Sequence, residues 1–543
     1  MQPSRYDDTG RLRPGSSERR HVARLNPPNR LWGSNGVSFG PDGRLYVAQF
    51  LAGQISAVDP ASGDVEVVVP LDGPVEAPDD LAFGADGSMY IADLTPGRVW
   101  RRTPEGAYSL VSDAVTVPNG ITCVGDRLFV NEMRTNGRLL ELFPDGGEPV
   151  VLTDGLALGN AMQLGPDGLL YYPHMIGNQV WRISPDGGAP ELVAEEVDDP
   201  VAVRFDLGGV LVVLSRGPAG IVTRIDLATG ARTVTASGLA GLDNAAFDAE
   251  NRMFVSSYAG GGITEMHTDG RTRALVPRGF NGPFGVTAGR GGTVYAADHF
   301  RLARLDDREG AGENDALTVD LLHFARGVTA DGDGAVLHVT TGLGEVRTWE
   351  PETKTSRVRA TGLNDPTGIA VAPDGCLVVA ETGAGRVLRI DAADTVTVLT
   401  DGLDHPVDVA LDAEQRCYVS DDGLGAVLRL GEHEDGETVT VADGLGAPQG
   451  LVIVGDELFT VETAHRRLSS VSLTTGAVTT EADGLPVGLP PGITRTEPAP
   501  VPGVPHRPRH FAGLALAPDG ALLLSANGEG TVLRLSPRDD TGG

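Results

Sequence analysis

Apolar and polar positions alternate along this chain in short runs, most of them separated by turns of the Asp-Gly type, and a period of two marks half-buried β-strands. The runs themselves repeat. Segments such as NGVSFGPDGRLYVAQF from Asn35, DDLAFGADGSMYIADL from Asp79, NAMQLGPDGLLYYPHM from Asn160, GIAVAPDGCLVVAETG from Gly368 and GLALAPDGALLLSANG from Gly513 share one template. Twelve such units begin near residues 35, 79, 119, 160, 201, 243, 284, 326, 367, 407, 449 and 512. Each holds four short segments that read as successive antiparallel hairpins, which is one blade of a β-propeller. Helical periodicity is nearly absent, so helical solenoids of similar period are poor fits. Twelve blades exceed the four to eight of a usual ring, and the pattern predicts an all-β fold of two tandem six-bladed β-propellers.

The chain ends bear on the boundary. The last unit supplies only three strands, near 511–516, 520–525 and 530–536, while RRHVARL (Arg19 to Leu25) precedes the first blade and has no blade of its own. If each ring is closed by its own first strand, residues 1–17 are a disordered tail, 18–269 form the first propeller and 270–543 the second, which starts with TRALV (Thr272 to Val276). A boundary near 281 is the alternative, and it leaves the spare strand unexplained. Between units eleven and twelve, residues 486–510 carry eight prolines, too stiff and donor-poor for a sheet, and predict a loop.

Composition then narrows the partners. With 43 Lys+Arg against 74 Asp+Glu the formal charge is −31, which repels phosphate backbones and anionic bilayers. The expected partner is a small molecule, with neither nucleic acid nor membrane. No run approaches a membrane span, and the first twenty residues lack the apolar stretch of a secretory signal, so a cytoplasmic home is expected. Cys123, Cys376 and Cys417 lie in apolar runs without CxxC spacing and read as core packing.

A propeller brings the starts of its innermost strands to one mouth of a central channel. In the first half this register holds Asn35, Asp79, Asn119, Asn160, Val201 and Asp243, with Asp80 and Asn244 adjacent; in the second it holds Phe284, Arg326, Thr367, Val407, Gln449 and Ala512. Converging carboxylate and amide oxygens are hard ligands that suit Ca²⁺ first, with Mg²⁺, Mn²⁺ or Zn²⁺ as other occupants. Turn capping by Asn and Asp is the bland alternative. It predicts the same enrichment in both halves, and the second half lacks it.

The motifs PNGI (Pro118 to Ile121), GNAMQL (Gly159 to Leu164) and GLDNAAF (Gly241 to Phe247) resemble the gluconolactonase and senescence-marker-protein family and its relatives, the paraoxonases and strictosidine-synthase-like proteins. The resemblance implies six-bladed propellers and, in the lactonase and paraoxonase branches, a catalytic divalent cation held by Glu, Asn and Asp. The family's first-blade glutamate falls at Asn35, and its Asp after the two Asn blades falls at Val201, with Asp199 just before. Anionic ligands then come from Asp79, Asp80 or Asp243.

The ends of the second strands supply a second set, Gln49, Asp93, Glu132, His174, Ser215 and Ser257 in the first half. Asp93 with Arg98, Glu132 with Arg138 and Glu381 with Arg386 fit a repeated ion pair between strands. His174, in YYPHMIGN, fits no such pair and is the candidate general base, with Glu132 and Asp93 as further acid–base candidates. DGDG (Asp331 to Gly334) lacks the downstream acid of a calcium loop and reads as a hairpin turn. Three functions fit: a metal-dependent hydrolase of a lactone or ester, a lyase or cyclase of a specialised metabolite, and a binding scaffold without catalysis. The ligand ring favours an enzyme and the resemblance favours the hydrolase, with the first ring built for chemistry and the second for support.

Overall fold

The computed structural model describes residues 10–305, 316–431, 437–494 and 511–538. Among them it contains 46 strands and three single-turn 3-10 segments. The turn glycines set the hairpins: Gly43, Gly87, Gly168, Gly375 and Gly520 have φ between 77° and 83°, a left-handed backbone that side chains disfavour. The preceding Asp fastens the turn through its side chain, as Asp86 Oδ1 does by accepting the Ser88 N–H at 2.9 Å.

Ten four-stranded antiparallel sheets and one six-stranded sheet result. The six-stranded sheet spans blades 7 and 8, because Ala316–Ala330 pairs with Val294–Leu305 along one part and with Leu337–Thr341 along another. Most of the second strands, such as Leu45–Gln49 and Met89–Asp93, are buried at every residue because both faces meet neighbouring blades. The core therefore lies between blades, as where Ala82, Tyr90 and Ala92 of blade 2 meet Ile121, Leu128 and Val130 of blade 3. The inner strands contact one another in two closed cycles of six. The protein is two tandem six-bladed β-propellers, as the repeat predicts.

Each cycle has its own closing bonds. In the first unit Ser256 Oγ of blade 6 donates to the Asn35 carbonyl of blade 1 at 2.5 Å. In the second the Gly513 N–H of blade 12 donates to the Phe284 carbonyl of blade 7 at 2.9 Å.

The assignment of the spare strand is corrected. Arg20–Arg24 pairs with Thr531–Pro537 and completes blade 12, not blade 6. Thr272–Val276 stays in blade 6 as its fourth strand. All six blades of the first unit thus lie in the run Arg30–Arg278, to which residues 492–494 are added, and the second unit takes residues 10–29 and resumes at Gly279, in place of the expected division at 269 and 270. The physical reason is that a three-stranded sheet offers an unpaired edge, and the N-terminal segment covers it.

Residues 16 and 17 are likewise bound, not a free tail: Ser16 and Asp483 exchange two backbone hydrogen bonds of 2.8 Å. Residues 1–9, and residues 495–510 of the proline-rich insertion, lie outside the described residues. The start of that insertion packs, with Leu485 and Val487 in the blade 11–12 core. The three cysteines are free thiols, two of them buried. No helix among the described residues is long and apolar enough to cross a membrane.

Candidate functional site

In the first unit the inner strands Ser34–Phe39, Pro78–Phe83, Pro118–Val124 and Leu242–Phe247, with the segment at Asn160, bring their opening residues together. The predicted residues meet. Asn35 Nδ2 donates to Asp79 Oδ1 at 3.2 Å. Asn244 Nδ2 donates to Asp80 Oδ1 at 3.2 Å. Asn119 and Asn160 both point their amide nitrogens at Met133 Sδ, at 3.2 and 3.7 Å. All of these Asn and Asp side chains are buried.

Burial dominates their electrostatics. Burial pushes Asp79 up to about 8, reinforced by the Asp80 charge and opposed by the Asn119 amide. Burial likewise holds Asp243 well above the usual carboxylate range, with the charges of Asp79 and Asp80 adding to it. Asp80 rises only to about 6, because the Arg204 charge and hydrogen bonds from Leu81, Ile121 and Asn244 oppose its burial. Asn35 Oδ1 and Asn119 Oδ1 are buried acceptors with no hydrogen-bond partner. Acceptors outnumber donors at this mouth, which is the condition a cation relieves.

Asp80 and Asn244 are partly committed to structure. Asp80 Oδ1 accepts the Leu81 N–H at 2.9 Å, and Oδ2 accepts the Ile121 N–H at 3.3 Å, tying blade 2 to blade 3. Asn244 Oδ1 accepts the Ala245 N–H at 2.8 Å. The oxygens best placed to hold a cation are those of Asn35, Asp79, Asn119 and Asp243. Asn160 is a weaker donor, because its Oδ1 accepts the Ala161 N–H at 2.7 Å. No group of three or more His, Cys, Asp or Glu arranged to hold a metal occurs among the described residues. The donor set is amide-rich and hard, which fits Ca²⁺ better than a softer ion.

Sequence reasoning missed Arg204. It is buried on the inner strand of blade 5, where its Nε donates to the Ala245 carbonyl at 2.9 Å and its Nη1 to the Met162 carbonyl at 3.0 Å. It supplies positive charge toward Asp80 and Asp243 and bridges the carbonyls of blades 4 and 6. The signal was available: an arginine inside the apolar run VAVRF has no outward face to occupy.

The second-strand acids go elsewhere. Asp93 Oδ1 accepts the N–H groups of Glu76 and Ala77, at 3.1 and 2.6 Å, and Oδ2 accepts Trp100 Nε1 at 3.1 Å. Its expected partner Arg98 lies instead 3.7 Å from Glu76. Glu132 accepts the Thr116 N–H at 3.0 Å and pairs with Arg138 at 2.5 Å, as the repeat suggested. Both carboxyls, named as acid–base candidates, fasten the loop that leads into their own blade's inner strand. Asp199 pairs with Arg216 at 2.6 Å.

His174 faces aromatic neighbours. Its ring stacks on Trp181 at 5.5 Å and tilts against Tyr172 at 5.7 Å. Burial lowers its pKa, so the ring is neutral at pH 7. Its Nε2 has no hydrogen-bond partner. It is the following residue that reaches the mouth, with Met175 Sδ 3.4 Å from Asn160 Nδ2.

At the same mouth of the second unit Phe284, Val407 and Phe511 pack together, beside the buried polar side chains of Arg326, Thr367 and Gln449. Beneath them lies a cavity of about 680 Å³ lined by all six inner strands.

No family model matches the chain, and no curated protein matches it. Among solved structures, a streptogramin B lyase is similar over 52% of this chain and 95% of its own, at 18% identity and a TM-score of 0.38. A nidogen/laminin complex is similar over 42% of this chain and 91% of its own, at 19% identity and a TM-score of 0.38. The extracellular domain of a hybrid two component system from B. thetaiotaomicron spans 93% of this chain and 75% of its own, at 10% identity and a TM-score of 0.31.

Proposed function

We propose that the first ring is a hydrolase of a lactone or ester, acting on a small molecule held at its channel mouth with a divalent cation, Ca²⁺ first, bound by Asn35, Asp79, Asn119 and Asp243. One observation carries the reading: two buried carboxyls with raised pKa stand among amide oxygens that lack any donor. The gluconolactonase-like motifs around Asn119, Asn160 and Asp243 agree with it. A cation held there would polarise the substrate carbonyl and stabilise the developing oxyanion.

The chain's own residues supply the rest. Asp79, as carboxylate, accepts the proton of the attacking water at Oδ and passes it to the leaving oxygen, so the proton balance closes on one residue. Arg204 keeps Asp80 largely ionised near neutral pH and therefore able to hold blades 2 and 3 in register. The substrate's neutral or anionic oxygens face a mouth whose walls Met133 and Met175 make apolar.

A lyase or cyclase is the second reading, and one feature favours it. A buried carboxyl pair that shares a proton without any cation is already an acid–base couple for elimination.

The test replaces Asn119, Asn160 and Asp243 together with alanine and assays aryl esters and lactones before and after chelation. Bound cation, by elemental analysis, and activity are expected to vanish together while circular dichroism stays that of a β-protein. Full activity after chelation in metal-free protein would sink the cation-centred reading. Products heavier by one water mark hydrolysis, and products of unchanged summed mass mark the lyase or cyclase. His174→Ala is expected to leave the pH–rate profile unchanged, because its contacts are aromatic.

A further inference from the structure

The two rings carry the same latch but treat its charge differently. Asp408 stands in the second ring where Asp80 stands in the first, each following Pro406 or Pro78 by two residues. Asp408 Oδ1 accepts the Val409 N–H at 2.9 Å and Oδ2 the Leu451 N–H at 2.8 Å, the same bonds that Asp80 makes to Leu81 and Ile121. Asp80 also has Asn244 donating to it and the Arg204 charge beside it. Counting blades round each ring from this aspartate, the aligned positions in the second ring are Gly327 and Thr287, which supply neither an amide nor a charge. Asp408 is 7% exposed, and among the described residues no cationic side chain pairs with it. Burial accordingly pushes its carboxyl up to about 7.

What replaces those side chains is space. The residue after the channel-mouth position is glycine in five of the six blades of this ring: Gly285, Gly327, Gly368, Gly450 and Gly513. A Cβ on Gly368 would stand 2.2 Å from Asp408 Oδ1, so glycine there is what lets the carboxyl lie along the strand. The resulting cavity of about 680 Å³ is within the range of small-molecule sites, and Asp408 lines it. Its wall is mixed, with apolar side chains such as Val328, Ile369 and Leu451 beside polar ones such as Thr287 and Thr329. One end is stopped by the packed Phe284, Val407 and Phe511. The other is framed by the turns at Arg290 and Asp331 to Gly334, where Arg290 is engaged by Asp333 and Glu352 at 2.9 and 2.8 Å.

We infer that this channel binds a small organic cation, a primary or quaternary ammonium with an apolar body, whose charge takes the place that Arg204 fills in the first ring and pairs with Asp408. The chemistry selects this class. An anion finds only Asp408 at depth, and a metal ion needs several hard oxygens that the Gly, Ala and Val walls do not supply. An ammonium needs one carboxylate, and its organic body gains from the apolar part of the wall. The site is separate from the acid cluster of the first ring, so it stands or falls independently of the hydrolase reading.

Calorimetric titration of the full chain with pentylammonium and tetramethylammonium chloride tests it, with pentan-1-ol as the neutral isostere. Saturable binding of at least one ammonium is expected, with pentan-1-ol failing to compete. Asp408→Asn is expected to weaken it about tenfold or more. Because Asp408→Asn also alters the latch, Thr287→Arg is the second variant: it leaves Asp408 intact, places a guanidinium at the position Arg204 holds in the first ring, and is expected to abolish ammonium binding. Absence of saturable binding by either ammonium overturns the inference, as does undiminished binding in both variants.

Discussion

Glu462 shows how single side chains hold these rings. Its buried carboxylate accepts the Gly446 N–H at 2.7 Å, Arg467 Nε at 2.6 Å and His465 Nδ1 at 2.7 Å. The same grip on a loop 16 or 17 residues earlier recurs at Asp93, Glu132, Asp298, Glu381 and Asp421. Although burial pushes the Glu462 carboxyl up, the Arg467, Gly446, Ser469 and His465 hydrogen bonds outweigh it and hold it down at about 2. A folded pKa below the ordinary glutamate value means stability that is fully present above about pH 4 and lost as pH falls toward 2. Glu462→Gln should therefore destabilise the second ring by about 2 kcal/mol at neutral pH. That deficit should shrink when thermal melting is followed down to acid conditions; a deficit constant with pH would mean that charge is not what the residue contributes. At this scale the sequence was only partly legible. The period placed Asn35, Asp79, Asn119, Asn160 and Asp243 at one mouth, since register follows from strand repeats. It could not separate Glu132 from a channel acid, because the loop amide that claims it is near only after the hairpin has folded back.

The element that decides the topology is Arg20–Arg24. Both features that betray it were visible in the sequence, a spare strand at the front and a three-stranded last unit, yet either ring's sheet would accept an alternating strand. The choice is made by charge as well as backbone. Arg20 Nε reaches Glu481 at 2.8 Å and Arg24 Nε reaches Glu529 at 2.7 Å, with the two glutamate side chains only 5% and 0% exposed. Blade 6 offers a different outer strand of its own in Thr272–Val276, so no comparable edge remains there. Arg24→Ala strands a fully buried carboxylate and should cost about 3 kcal/mol of the second ring's stability. Calorimetry should show that ring's transition lowered, while the cation binding and activity assigned to the first ring are unchanged. A variant that melts like the parent would show that strand pairing alone closes the ring.

Across the whole molecule the two units differ in how they are closed, and that sets what each can do alone. The first has all six blades in one run, Arg30–Arg278, whose last blade bonds to its first through Ser256 and whose channel carries its own counter-charge in Arg204. The second depends on residues far away in sequence, since its outermost blade 12 strand precedes the entire first unit. Low contact with distant sequence favours autonomous folding, whereas a ring that waits for a remote strand exposes a sheet edge until it arrives. Expressed separately, residues 30–278 should fold into a cooperative β-protein that retains any cation binding of the full chain. Residues 279–538 should melt at lower temperature or aggregate, and should be restored when residues 10–29 are fused ahead of them. Circular dichroism melts and size-exclusion profiles of the three fragments decide it. If residues 279–538 are as stable without the N-terminal segment as with it, the closing strand is an accessory, and the separate identity of the two rings must rest on their cores alone.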